Sequence, residues 1–263
     1  MAQVFLPYVE LLWKKYPAPL TLIKDAGFDG VECHLIGRLL SSERVLSLRE
    51  EVKNLGLEIR FHQGWSWETG QRILPNYILR PIGSLVPTGM TLADQMLDVG
   101  DDPVVVYGNH VDGPFQANYV YQTASEFVYG KTYAMEFQDF VSTVADKKSP
   151  IVFDTQHVVE WYLNHPTVDG IPLDQTAGGI VTDMWEKFHA QVKEIHLCDF
   201  NPRLGPTRGR NVPLGKGMFP LEKFCADVRA SGWDGVITPE VSFQHLTGLD
   251  ALKALRAKIE SLF

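Results

Sequence analysis

Four stretches of the sequence end in side chains that could hold a metal ion or move a proton. Each is a short run of apolar, largely β-branched residues that gives way to a polar segment. The residues are Glu136, Asp154 with His157, His196 with Asp199, and Glu240. Carboxylates gathered in one site repel one another unless a cation neutralises them, and together with an imidazole they match the oxygen and nitrogen ligands of a divalent metal. A fold that brings these run ends together would therefore create a metal site.

Eight apolar runs alternate with segments of helical periodicity, and this pattern identifies the elements that must position those side chains. The predicted strands are 3–8, 30–35, 58–62, 103–108, 132–137, 151–154, 194–199 and 235–241. Between them lie helical patterns such as Val45, Leu48 and Val52, which imply one buried face. Strand and helix alternation of this kind favours a closed parallel barrel, in which the carboxyl ends of all strands meet at one mouth. We predict an α/β fold, a (β/α)₈ TIM barrel, as one domain over residues 1–263.

Glycines mark the turns that lead into three of these strands. Gly27, Gly56 and Gly232 each follow a helical pattern and precede an apolar run. Glycine after a helix can take the left-handed conformation that ends it. These turns are predicted to lie at the bottom of the barrel, opposite the mouth.

Several motifs, in order, resemble the xylose-isomerase-like barrel superfamily of sugar phosphate isomerases and epimerases. They are GFDGVE at 27–32, DTQH at 154–157, HLCD at 196–199, GKG at 215–217 and TPE at 238–240. The resemblance covers essentially the whole chain. It implies a TIM barrel with a metal site at the mouth.

The ketose 3-epimerase pattern within this superfamily implies roles for individual residues. Glu136, Asp154, His196 and Glu240 would be the metal ligands, and the two glutamates would also serve as acid and base on opposite faces of the substrate. His157 would bond a substrate hydroxyl or oxyanion. Mn²⁺, Mg²⁺ or Co²⁺ suits a site made mostly of oxygen donors, and Zn²⁺ is a further candidate.

Other residues are expected to contact the substrate or to order the ligands. The expected substrate contacts are His62, His110, Arg203, and Trp65 in the long segment 63–90. Arg208 and Arg210 compete with Arg203 for its role, and each histidine could instead be a barrel-rim residue bonded to a loop. By resemblance, Glu32 is expected to order its neighbours. Asp199 could be a ligand of a second metal or could orient His196, and the second role is favoured.

The leading functional hypothesis is a divalent-metal-dependent isomerase or epimerase that acts on a small polyhydroxy ketone or aldehyde, a sugar or sugar phosphate, through an enediolate. The same metal and base could instead eliminate water, as in a keto-inositol or dehydroshikimate-type dehydratase. An endonuclease IV-like nuclease and a non-catalytic barrel are further alternatives. Asn211 stands where the nuclease pattern would offer another histidine.

Composition narrows the class of partner. A formal net charge of −8 opposes long-range attraction to a phosphate backbone, so nucleic acid is not expected. Three cysteines without a CxxC pair indicate a reduced, cytoplasmic protein. The sequence contains no pattern of a signal peptide, a membrane span or a nucleotide-binding loop. A homo-oligomer is left open.

Overall fold

A computed structural model describes twelve parts of the chain: residues 2–8, 13, 15–35, 42–63, 102–107, 119–122, 127–128, 131–132, 149–156, 181–182, 184–204 and 211–263. The strands are β1 (Gln3–Tyr8), β2 (Gly30–Leu35), β3 (Glu58–Gln63), β4 (Val104–Tyr107), β5 (Tyr119–Gln122), β6 (Phe127–Val128), β7 (Lys131–Thr132), β8 (Ile151–Asp154), β9 (Val192–Leu197) and β10 (Val236–Pro239). The helices are α1 (Pro19–Asp25), α2 (Ser42–Asn54), α3 (Leu221–Ala230) and α4 (Leu249–Leu262).

Eight of these strands close into a parallel barrel, which confirms the predicted fold. The order around the barrel is β1, β2, β3, β4, β5, β8, β9, β10 and back to β1. At the mouth, Asp154 of β8 lies in register with His196 of β9, and His196 lies in register with Thr238 of β10. The carboxyl ends of three successive strands therefore stand side by side.

The predicted position of the fifth barrel strand, 132–137, is wrong. That place is taken by β5, which pairs in parallel with β4 through Tyr119 and with β8 through Tyr121. Lys131–Thr132 instead pairs with Phe127–Val128 in a separate antiparallel sheet. The predicted segment and the observed Tyr119–Gln122 are both short and rich in aromatic residues, so local pattern does not distinguish them, and strand pairing decides which one enters the barrel. Glu136, predicted to end the fifth strand, lies outside the described residues.

The helices bury the faces that their periodicity indicates. In α3 the buried residues are Leu221, Phe224, Cys225 and Val228. The turn glycines take the expected conformation, with φ of +87° at Gly27, +71° at Gly56 and +71° at Gly232. The sequence therefore sets where each helix ends and the next strand begins. In the described part of the chain, no helix combines the length and the apolar character needed to cross a bilayer.

The interior of the barrel changes from apolar at its bottom to polar at its mouth. The Phe5 ring occupies the bottom, and a Cβ atom at Gly30 would lie 2.7 Å from it. Above it the inward positions carry ionisable side chains, with the Arg60 guanidinium 5.5 Å from the centre of the Phe5 ring. This polar interior holds the candidate site.

Candidate metal centre

Asp154, His196 and Glu240 converge at the mouth of the barrel, and we call these three residues the mouth cluster. Asp154 ends β8, His196 lies in β9, and Glu240 directly follows β10, where its backbone N–H donates to the Leu197 carbonyl. His196 Nδ1 lies 3.3 Å from Glu240 Oε1 and 3.8 Å from Asp154 Oδ2. The Nδ1 atom of His196 thus lies within 3.8 Å of one oxygen of each carboxylate.

Glu32 fixes the orientation of the His196 ring. Glu32 Oε2 lies 2.9 Å from His196 Nε2, and both side chains are fully buried. Because Glu32 holds Nε2, Nδ1 is the nitrogen that faces Asp154 and Glu240. A carboxylate on the far nitrogen is a common support of a metal-binding histidine, because it sets the ring orientation and the tautomer.

The pKa shifts of His196 and Glu240 show an excess of negative charge in this site. Burial lowers the pKa of His196, but the surrounding carboxylates, Glu32 foremost, outweigh burial and hold that pKa well above its usual value. Burial raises the pKa of Glu240, but the hydrogen bond and charge of His196 outweigh it, so that pKa is lowered. Glu32, whose pKa is also lowered, and Glu240 therefore remain anionic around the protonated ring of His196. A divalent cation would neutralise this excess of negative charge, so the donors fit a metal.

Two further imidazoles extend the polar interior towards β2 and β3. The ring of His62 stacks at 4.4 Å from that of His34 and at 5.4 Å from that of His196. His34 Nε2 also lies 3.2 Å from Glu32 Oε1. Burial lowers the pKa of His62 to about 4, and His34 adds to the fall, so His62 is neutral near pH 7. Glu32, His62, His196 and Glu240 bring ligand atoms within 4.8 Å of one another.

Asp199 does not orient His196, and that expectation is corrected. Its two carboxylate oxygens accept the backbone N–H groups of Phe200, Gly215, Gly217 and Phe219. A Cβ atom at Gly217 would lie 2.0 Å from Asp199 Oδ1, so this close wrapping of the loop requires glycine. Asp199 anchors the loop before α3, and Glu32 takes the role that was expected of Asp199.

A second set of polar residues lies one inward position nearer the bottom of the barrel, and we call it the lower polar layer. It consists of Arg60, Glu194 and Thr238, two residues before His62, His196 and Glu240 respectively. Arg60 Nη1 lies 2.8 Å from Glu194 Oε2, and the Thr238 hydroxyl donates to Glu194 Oε1. This layer was not predicted from the sequence. It could have been, because side chains alternate along a strand, so the residue two positions before an inward-facing site residue also faces inward.

Asn211 is another residue of the site that sequence reasoning assigned no role. It takes a left-handed conformation with φ of +49°. Its N–H donates to Gln156 Oε1 at 3.1 Å, and its carbonyl accepts the Ser242 N–H at 2.7 Å. Its side-chain amide donates to Glu240 Oε2 at 3.5 Å. Contacts from the ends of β8 and β10 thus hold a strained residue against a mouth-cluster carboxylate.

The remaining predicted site residues fall into two groups. Arg203 lies in a short 3₁₀ helix, Pro202–Leu204, and its side chain is exposed. Glu136, His157, Trp65 and His110 lie outside the described residues, as do the competing arginines Arg208 and Arg210. The roles predicted for these residues therefore stay predictions.

Comparison with known proteins agrees with the fold. A sequence model described as "xylose isomerase-like TIM barrel" matches residues 120–262, more than half of the chain. A D-tagatose 3-epimerase-like protein superposes with a TM-score of 0.58 at 14% identity, covering 98% of this chain and 96% of that one. An L-ribulose 3-epimerase superposes with a TM-score of 0.56 at 14% identity, over 100% and 94%.

A third solved structure, a xylose isomerase domain protein from Alicyclobacillus acidocaldarius subsp. acidocaldarius, gives a TM-score of 0.54 at 14% identity and covers 98% of each chain. Identities this low show a shared fold and leave the substrate undetermined. A search of curated proteins gave no match.

Proposed function

The chain belongs to the xylose isomerase-like TIM barrel family, and from that premise we propose that it is a divalent-metal-dependent isomerase or epimerase of small polyhydroxy ketones or aldehydes. One observation carries the proposal. Asp154, His196 Nδ1 and Glu240 converge at the barrel mouth, while Glu32 holds the far nitrogen of the histidine. Active sites of this fold are built at the carboxyl ends of the strands.

The donor set suits a cation that also binds substrate. Asp154 and Glu240 offer hard oxygen donors, and His196 offers one nitrogen, which fits Mn²⁺, Mg²⁺ or Co²⁺ and also admits Zn²⁺. Glu136 is proposed as the remaining ligand. When bound, the cation supplies positive charge that stabilises the oxyanion of an enediolate.

Glu240 is proposed as one of the two groups that move protons. Its side chain is 18% exposed, whereas that of His196 is fully buried, so Glu240 is the member of this pair that a substrate can reach. It would take the proton from the carbon next to the carbonyl, and Glu136 would return a proton to the opposite face. A proton leaves one face and a proton enters the other, so the product is an epimer of the same formula. Asn211 would hold the Glu240 carboxylate in place during this transfer.

The substrate contacts proposed here are the residues expected from the sequence. His62 lies buried beside the mouth cluster, and His157 comes three positions after Asp154, which ends β8. We propose these two, with Trp65, His110 and Arg203, as groups that bind hydroxyls or pack against the sugar. A small polyol is the proposed partner, and neither nucleic acid nor membrane enters the proposal.

Deuterium exchange tests the proposed reaction. Metal-loaded protein is incubated in D₂O with D-tagatose, L-ribulose and D-allulose, the sugars in the names of the epimerases that share this fold. We expect at least one sugar to acquire deuterium next to its carbonyl and to yield an epimer by NMR. With metal supplied in excess so that occupancy is equal, Glu240→Gln should slow exchange by about 10²-fold or more.

The control for this experiment is Glu222→Gln, which removes an exposed carboxylate from α3 and should leave exchange unchanged. Loss of water with a new ultraviolet-absorbing enone would show a dehydratase instead. Absence of deuterium from every sugar, with the metal bound, would contradict the proposal.

A further inference from the structure

Cys198 stands beside the mouth cluster, on a side that His196 does not occupy. It is fully buried, and its Sγ lies 3.8 Å from Asp154 Oδ1 and 3.6 Å from Glu240 Oε2. His196 faces the other oxygen of each carboxylate, Asp154 Oδ2 and Glu240 Oε1. The two carboxylates are thus flanked by a ring nitrogen on one side and by sulfur on the other.

The backbone of Cys198 is held in this position by Thr155. The Cys198 N–H donates to Thr155 Oγ1 at 2.8 Å, and the Thr155 hydroxyl lies 2.9 Å from the Cys198 carbonyl. Thr155 directly follows Asp154, so one contact links the ends of β8 and β9. The sulfur is therefore presented by a fixed strand end.

The separations match those between ligands of one metal ion. Two ligands of a tetrahedral zinc ion, bonded at about 2.3 Å to sulfur and about 2.0 Å to oxygen, lie about 3.5 Å apart. The observed distances of 3.6 and 3.8 Å are close to that value. A thiol is a weak donor with a single proton, and the two oxygens beside it also accept the Gln156 N–H and the Asn211 amide. A cation would serve both oxygens and the sulfur together.

We propose that Cys198 is a metal ligand together with Asp154 and Glu240, three residues whose ligand atoms lie within 4.8 Å of one another, and that this centre prefers thiophilic divalent cations, Zn²⁺ or Co²⁺, over Mg²⁺. The proposal rests on the metal centre described under Proposed function and narrows its choice of metal. On binding, a metal–sulfur bond forms and the thiol proton passes to solvent, with no change in oxidation state. Soft thiolate donors select such metals, whereas Mg²⁺ takes oxygen ligands.

Cobalt substitution gives a direct readout that does not depend on activity. Full-length protein is stripped of metal with a chelator and titrated with Co²⁺ while the near-ultraviolet spectrum is recorded. We expect about one cobalt ion per chain, together with a sulfur-to-cobalt charge-transfer absorption. Cys198→Ser should lose the absorption, whereas Cys225→Ser, which removes a buried thiol on α3, should keep it.

The affinities for Zn²⁺ and Mg²⁺ give a second test of the role of Cys198. Zn²⁺ affinity should fall by more than about 10-fold in Cys198→Ser, while Mg²⁺ affinity changes far less, because only the soft cation loses a preferred donor. The wild-type cobalt spectrum decides the proposal even if the variant folds poorly. Cobalt bound by wild-type protein without a sulfur absorption overturns the role of Cys198.

Asp154→Asn distinguishes failure of the metal centre from failure of the role proposed for Cys198. If cobalt binding is unchanged in this variant, the metal centre itself is wrong, and with it the premise of the proposal. If the variant loses cobalt while the wild-type spectrum has no sulfur absorption, the metal centre stands and only Cys198 is excluded.

Discussion

The mouth cluster and the lower polar layer occupy neighbouring levels of one barrel, yet their charges are balanced differently. In the lower polar layer, Arg60 neutralises Glu194 at 2.8 Å, and Thr238 donates to the other oxygen. In the mouth cluster, Asp154 and Glu240 share one imidazole, which Glu32 also contacts. In the lower level Glu194 has a cationic partner within the protein, although burial and Glu32 raise its pKa to about 7, whereas the carboxylates of the upper level are the ones proposed to bind a metal. We therefore expect substitutions in the lower polar layer to affect mainly stability and substitutions in the mouth cluster to affect mainly metal binding.

The largest expected effect on stability comes from Arg60→Met. The substitution leaves Glu194 buried without its cation, and loss of one partner of a buried pair costs about 3–5 kcal/mol. Chemical denaturation should show this loss while metal stoichiometry is unchanged. Arg44→Met, which breaks an exposed pair with Glu51, is the control and should cost at most about 1 kcal/mol. Metal loss without destabilisation in Arg60→Met would break the distinction between the two levels.

Asp199→Ala should have the next largest effect. It removes the acceptor of four backbone N–H groups in the loop before α3, and we expect a loss of about 3 kcal/mol in the free energy of unfolding. Asp227→Ala, at a partly exposed pair with Lys223, should change stability by less than about 1 kcal/mol. Equal denaturation midpoints for the two variants would refute the anchoring role of Asp199.

Glu32→Gln should weaken metal binding without abolishing it. The amide keeps the shape of the side chain but loses the charge that holds His196 Nε2, and loss of such a partner costs about 10–100-fold in metal affinity. Isothermal titration with Mn²⁺ or Co²⁺ measures the change, with exposed Glu51→Gln as the control. Complete loss of binding would mean that Glu32 is itself a ligand.

The smallest effect is expected at Asn211, where the backbone is left-handed. Asn211→Ala should be about 1 kcal/mol less stable than Asn211→Gly, because a Cβ atom is disfavoured at φ of +49° and glycine is not. Thermal unfolding of the two variants measures the difference. Equal stability would show that the conformation relaxes and that Asn211 is not held rigidly against Glu240.

The barrel was predictable because its signals are local and repeated. Turn glycines such as Gly27 and Gly232 mark where helices end, and the apolar runs at 30–35 and 151–154 match the observed strands. The fifth strand was mispredicted because a short aromatic run can pair in the barrel or outside it. Its partners, β4 and β8, lie outside the run itself, and only tertiary pairing selects among such runs.

The mouth cluster was predictable because strand ends in a parallel barrel converge regardless of their separation in the chain. The roles of the residues around this cluster were harder to predict, because those roles depend on contacts between residues far apart in the chain. Nothing near Asp199 in the sequence distinguishes an anchor of four N–H groups from a support of His196. Likewise, the pairing of Glu194 with Arg60 joins residues 134 positions apart.

Metal analysis of wild-type protein and Glu240→Gln tests the central claim most directly. Both proteins are purified, exposed to Mn²⁺ or Co²⁺, desalted and measured by elemental analysis, with circular dichroism to verify the fold. We predict about one divalent ion per wild-type chain and strongly reduced occupancy in a fully folded Glu240→Gln, because a hard carboxylate ligand is lost. Equal occupancy in the two proteins, or a wild-type chain that retains no metal, would contradict the account.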